Sequence, residues 1–259
     1  MSPPALSKLK ALCEQFADRQ GQVALIAQSK RHPTLSMKIN PDIVLPSASV
    51  VKAAIACAAA DLAAQGKLDL NRTISVSEID ETFYCSIMHA FDGTNRLTLK
   101  NLIGLMLIVS DNPATTAVLK CLGMDSVRAW IGQHGATQTT LSVPFDAASL
   151  GAPLRANLTT AQDCLTLLQL IDHDTTYAFV KHMLENNLRN ERIPKRLPDD
   201  AVIAHKTGTL SGLVHDIAIV QSPCADYYLI VLADQLEDDA GFTRDLAALS
   251  DAVYTLMAD

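Results

Sequence analysis

Ala201-Val202-Ile203-Ala204-His205-Lys206-Thr207-Gly208-Thr209, taken with the remaining fifty residues of the chain, decides the fold. Residues 201–206 are a β-type run ending in a polar turn. Two more β-type runs come at 214–221 and 227–234, and helical spacing returns over 242–257. The other end of the chain carries the same mixture. Leu6, Leu9, Leu12, Cys13 and Phe16 recur at helical spacing, which predicts an amphipathic helix over 5–18. Short β-type runs at 22–28 and 34–39 are separated by Ser29-Lys30-Arg31-His32-Pro33, a hairpin connection.

The middle is helical. An Ala-rich helix over 50–65 closes at Gly66, a helix over 97–109 opens with Thr98, and one over 113–122 begins on a proline. A helix over 125–134 ends at Gly135, Thr160-Ala161-Gln162-Asp163 resembles a capping box, and a further helix covers 175–187. The economical solution pairs the two chain ends into one antiparallel sheet with helices on it and inserts an all-helical lobe between them. The expected fold class is therefore α+β. Residues 1–45 and 195–259 form a discontinuous α/β lobe, 46–194 an all-α lobe, and a site lies in the cleft between lobes.

With 259 residues, 49% hydrophobic and 19% charged, the chain has apolar material for a substantial core. A net charge of −7 without any run of Lys or Arg argues against nucleic acid or an anionic membrane as partner. No apolar run is long enough to span a bilayer, and Met1-Ser2-Pro3-Pro4 lacks a secretory start. A cytoplasmic location is the expectation, the initial Met favouring it over a signal already removed. Cys13, Cys57, Cys85, Cys121, Cys164 and Cys224 are scattered, with no C-x-x-C and no grouping with His. They are expected to be reduced and mostly buried. His89, His134, His173 and His182 show no metal-ligand spacing, so neither metal nor cofactor is expected.

Three short signals carry the chemistry. Ser49-Val50-Val51-Lys52 places a hydroxyl at the start of a helix, where free N–H groups favour developing negative charge, and an amine three residues on along the same face. Among apolar neighbours that amine is pushed toward its neutral, basic form. Ser110-Asp111-Asn112 is a corner between helices. Ser110 can pass a proton to a leaving nitrogen, Asn112 can hold Lys52 or a substrate carbonyl, and Asp111 braces the loop. In Lys206-Thr207-Gly208-Thr209 a cation and a hydroxyl can bind a carboxylate, and Gly208 permits close approach of a ligand. The Thr209 N–H can complete an oxyanion hole with that of Ser49. Ser7-Lys8-Leu9-Lys10 repeats the first pattern on a surface helix, so only the ordered trio is informative. His215-Asp216 reads chiefly as a structural strand pair, with a role in the cleft as the alternative. His205 faces away from Lys206, and Tyr84 and Ser86 are placed at the cleft rim.

With S-x-x-K, S-D-N and K-T-G in this order, the chain resembles the penicillin-recognising serine hydrolases, and among them the class A β-lactamases. The resemblance covers nearly the whole chain and implies the two-lobed fold reached above. It implies Ser49 as nucleophile, Lys52 as acylation base and Ser110 as proton shuttle. It further implies Asn112, Lys206 and Thr207 as substrate and network residues. The class C Tyr-x-Asn pattern and the disulfide of many relatives are not matched. Class A enzymes also carry a deacylating glutamate between the second and third motifs, and no Glu occurs here between Glu81 and Glu185. The loop 141–157 offers only Asp146, one methylene shorter, as a candidate deacylation base. The expected substrate is a small molecule bearing a carboxylate, a β-lactam or a related amide or ester. A peptidase acting on D-alanine ends, an esterase, and a sensor that acylates and stalls remain alternatives.

Overall fold

Residues 3–18, 21–80, 86–146 and 152–258 are described by the structure, a computed structural model. Five strands make the main sheet: β1 (Gln22–Ser29), β2 (Ser36–Ile39), β7 (Val202–Leu210), β8 (Leu213–Gln221) and β9 (Asp226–Asp234). Two-residue or three-residue strands β3 (Leu45–Pro46), β4 (Thr73–Ser75), β5 (Arg96–Thr98) and β6 (Leu158–Thr159) form two small ribbons, β3 with β6 and β4 with β5. The helices are α1 (Pro3–Ala17), α2 (Lys52–Ala64), α3 (Leu99–Ile108), α4 (Asn112–Leu122), α5 (Met124–Gln133), α6 (Ala161–His173), α7 (Ala178–Glu185) and α8 (Asp239–Ala258).

The main sheet runs β2-β1-β9-β8-β7, antiparallel throughout, so the chain ends meet at β1 and β9. Its two faces explain the sequence pattern. Val23, Leu25, Ala27, Leu229, Val231 and Val220 point into one apolar layer under α1 and α8. Ala24, Ile26, Ile230, Leu232, Ile217 and Ile219 point into the other, shared with the helical lobe. A strand buried on both faces is a continuous apolar run, which is why 214–220 and 227–233 show little alternation.

At the heart of the helical lobe lies α2, in which every residue from Lys52 to Ala60 is buried. Alanine on all sides lets neighbouring helices approach closely, at little cost in side-chain entropy. Thr98 caps α3 in a full capping box with Asn101, and Thr160 caps α6 by accepting from Asp163 N. One local expectation changes: residues 48–51 form a 3-10 turn, Ala48–Val51, and the α-helix proper starts at Lys52. Among the described residues, Cys13, Cys57 and Cys164 are buried free thiols, Cys121 is half-buried and Cys224 exposed. Cys85 lies outside them. No described helix is long and apolar enough to cross a membrane.

Candidate active site

The turn carrying Ser49 is fixed from three directions. β3 pairs with β6 through Leu45 and Thr159 and through Pro46 and Leu158. Ser47 N donates to Asn157 O at 2.6 Å. From the main sheet, His215 Nε2 donates to Pro46 O at 2.7 Å while its Nδ1 accepts from Ala233 N at 3.1 Å, which defines a neutral ring. Burial pushes the His215 ring down to about 4, consistent with that neutral form. His215 is thus a structural residue that pins the nucleophile turn. Ala48 adopts φ 45°, an uncommon backbone for a non-glycine residue immediately before Ser49. Val50 N bonds Ser47 O, so the Ser49 amide lies ahead of the first internal bond of the turn.

Lys52 is wholly buried, and its Nζ donates to Asn112 Oδ1 at 2.6 Å, to Ser110 O at 2.7 Å and to Ser110 Oγ at 3.4 Å. Burial pushes this amine well below its ordinary range; Lys206 adds to the effect and Asp111 opposes it. Lys206, also wholly buried, donates to the same Ser110 Oγ at 3.0 Å and to Thr207 O at 3.0 Å. Desolvation lowers it to about 7, against the pull of Asp216. Ser110 itself has φ 62°, a second uncommon backbone in the site. Asp111 holds the corner in shape: one carboxylate oxygen caps α4 at Ala114 N (2.8 Å) and the other accepts from Ser86 Oγ (2.6 Å) and Ile87 N (3.0 Å).

Ser49, Ser110, Asn112, Thr207 and Thr209 line one cleft of about 600 Å³, with Ser86, Ile87, Val109 and Asp111 on one wall and Arg189, Glu191 and Arg192 on another. The Ser49 hydroxyl shows no hydrogen bond among the described residues; contacts of this kind commonly tighten only once substrate is bound. Gly208 has a structural role as well. A methyl group there would stand 3.2 Å from Ala48 Cβ and 3.3 Å from Ser47 O, so its bareness admits the nucleophile turn. Asp146 is half-buried and does not line the cleft; its neighbour Phe145 faces the site instead, its ring centroid 4.7 Å from Lys52 Nζ. Tyr84 lies outside the described residues.

Arg192 was not legible in the sequence. It is almost fully buried and donates to Gly208 O, His215 O and, at 2.6 Å, Thr209 Oγ1, which joins β7 to β8 beside the cleft. Its loop is held by Asp216, which accepts from Ile193 N at 3.1 Å and pairs with His205 Nδ1 at 2.9 Å. No local pattern marks an arginine whose partners sit on strands beyond it in the chain. Phe145, set against Lys52 from far along the chain, and Arg189, on the cleft wall, were also missed.

A serine that shares its cleft with a hydroxyl bridging two buried, deprotonatable lysines can carry acyl transfer. Fold and site together define a serine hydrolase. The sequence matches the beta-lactamase enzyme family over residues 5–257, and the chain belongs to that family. It is 26% identical to Beta-lactamase VEB-1 of Pseudomonas aeruginosa over 71% of this chain and 65% of that one. To the extended-spectrum beta-lactamase PER-1 of Pseudomonas aeruginosa it is 27% identical, covering 82% of this chain and 73% of that one. In fold it is similar to an ancestral class A beta-lactamase structure, with a TM-score of 0.83 at 24% identity, covering 95% of this chain and 98% of the other.

Proposed function

We propose that this protein opens β-lactams, or related amides and esters bearing a carboxylate, through an acyl-enzyme on Ser49. The observation that carries the reading is the Ser110 hydroxyl, within hydrogen-bonding distance of both Lys52 and Lys206 at the edge of the Ser49 cleft. Ser49 Oγ attacks the carbonyl carbon as its proton passes to neutral Lys52. The ring C–N bond breaks, and the leaving nitrogen takes a proton from Ser110, which is replenished from Lys52. The substrate carboxylate lies against Lys206 and Thr207, with Asn112 positioning Lys52 and the substrate amide. The Ser49 and Thr209 amides receive the oxyanion.

Hydrolysis of the acyl group is the slow step in this reading. Among the described residues, the carboxylates lining the cleft are Asp111 and Glu191. Asp111 is committed to Ala114, Ser86 and Ile87, and Glu191 is exposed at the rim. Asp146, off the cleft lining, is the candidate the loop offers for directing water; if it does so, Asp146→Asn slows release of the acyl group more than its formation.

Intact-mass spectrometry after mixing with a penicillin tests the reading. A mass increase of one penicillin, lost in Ser49→Ala and decaying over minutes or longer, is expected. Absence of any adduct or turnover, or labelling that persists in Ser49→Ala, overturns it.

A further inference from the structure

Lys52 is wholly buried, with polar groups and an aromatic ring around its amine. Ser110 and Asn112 reach its Nζ from the α3–α4 corner, Lys206 faces it from β7, and Asp111 and Arg189 act on it at longer range. The ring is that of Phe145, fully buried, with its centroid 4.7 Å from Nζ. A ring face carries negative charge density and attracts an ammonium, most strongly where water is excluded.

The placement of that ring is built in. Ser142 N and Val143 N both donate to Asn157 Oδ1, at 2.8 and 2.9 Å, and Asn157 Nδ2 returns a bond to Val143 O at 3.1 Å. Asn157 is itself wholly buried, and its backbone oxygen accepts from Ser47 N. One asparagine therefore ties the segment leading to Phe145 to the turn that carries Ser49. The ring and the nucleophile are held in a common frame.

We propose that Phe145 is a positioning residue for Lys52: its ring face confines the amine to the Ser110–Asn112 side and stabilises the ammonium formed when Ser49 gives up its proton. No carboxylate is hydrogen-bonded to Nζ among the described residues, so the ring supplies the close negative face that an ion pair would otherwise provide. The desolvation that pushes Lys52 downward is then partly offset by Phe145, which keeps the amine a base strong enough to accept the serine proton. The kinetic consequence rests on the acyl-serine reading; the electrostatic one does not.

The test replaces Phe145 with phenylalanines of increasing ring fluorination, which keep the shape and drain charge from the face. Lys52 is followed by NMR of protein labelled at lysine Cε, its signal assigned with Lys52→Arg. The midpoint is expected to fall stepwise with fluorination, by about one pH unit at full fluorination, and to fall similarly in Phe145→Leu. The acidic limb of penicillin acylation should move the same way, because acylation needs the neutral amine. A midpoint that stays put or rises across the series overturns the proposal, since a ring that merely fills space has no reason to respond to its charge. NMR needs no substrate, so a protein that fails to acylate would refute the hydrolase reading and leave this measurement decisive.

Discussion

Lys52 and Lys206 share one hydroxyl: their Nζ atoms lie 3.4 and 3.0 Å from Ser110 Oγ. Each lysine is stripped of water, and the Lys206 charge weighs further on Lys52. Both are pushed downward, Lys206 to about 7 and Lys52 well below its ordinary value. The hydroxyl therefore sits between two amines ready to exchange protons. The bridge can hand on a proton whichever lysine holds it.

Removing the bridge isolates the two amines. Ser110→Gly should lower the acylation rate about 10²- to 10⁴-fold, the ordinary contribution of a positioned proton carrier. The glycine variant is the informative one, because Ser110 has φ 62° and glycine accepts that backbone freely. Ser110→Ala should lose the same activity and some stability as well. Retention of acylation within tenfold in both, measured by stopped-flow with a chromogenic cephalosporin, would remove Ser110 from the pathway.

Lys206 should leave its mark on the alkaline side of the pH profile. Its ammonium binds a carboxylate, and with a value of about 7 the cation is present below that pH and lost above it in the free protein. The second-order acylation rate for a carboxylate-bearing penam should fall about tenfold per pH unit above the midpoint. A methyl ester of the same compound should react more slowly and show no such limb. If ester and acid share one profile, Lys206 is not the carboxylate partner.

Some of this was legible in the chain and some was not. The sheet could be read because turn residues punctuate 201–234, and Lys52 and Ser110 because short motifs carry them at fixed local spacing. The start of α2 was misplaced by a few residues because Ala48 turns against its backbone preference, held by Asn157 and His215 from far along the chain. Arg192, Phe145 and the role of Gly208 depend wholly on partners distant in sequence. Local patterns report groups that share an element, and tertiary contacts assign the rest.

Asp111 should matter more to the corner than to the chemistry. Its side chain caps α4 and gathers Ser86 and Ile87. Asp111→Ala removes the cap and orphans the other donors, for an expected loss of about 1–3 kcal/mol in urea unfolding. Asp111→Asn keeps the shape and should recover part of it. A stability change below ~0.5 kcal/mol in the alanine variant would contradict the bracing role.

His215 makes the fold sensitive to acid. Its value is about 4 in the folded protein against 6.5 for the free group, so the folded state binds this proton less readily. Its contribution is fully present above pH 6.5 and is lost as pH falls toward 4, on the order of 3 kcal/mol in all. Unfolding free energies of the native protein and His215→Gln, compared from pH 7 to pH 4, should converge toward the acid end. Parallel curves would mean that His215 does not titrate with unfolding.

Gly208 offers the sharpest separation of sheet from nucleophile. A Cβ at this position would press on Ala48 Cβ at 3.2 Å, Ser47 O at 3.3 Å and His215 Cβ at 3.3 Å, all tighter than ordinary packing. Two of these atoms belong to the segment carrying Ser49, and the third to the histidine that pins it. Relief can come only by a shift of a few tenths of an ångström, and Ala48, already at φ 45°, is the weakest part of the frame. Reaction geometry punishes small displacements heavily, with losses on the order of 10²-fold for about 1 Å. Gly208→Ala should therefore slow penicillin acylation about tenfold or more while Lys206, two positions back along the strand, keeps its alkaline limb near pH 7. An alanine variant that acylates at the native rate would show that the turn has room to spare, and that Gly208 serves the substrate after all.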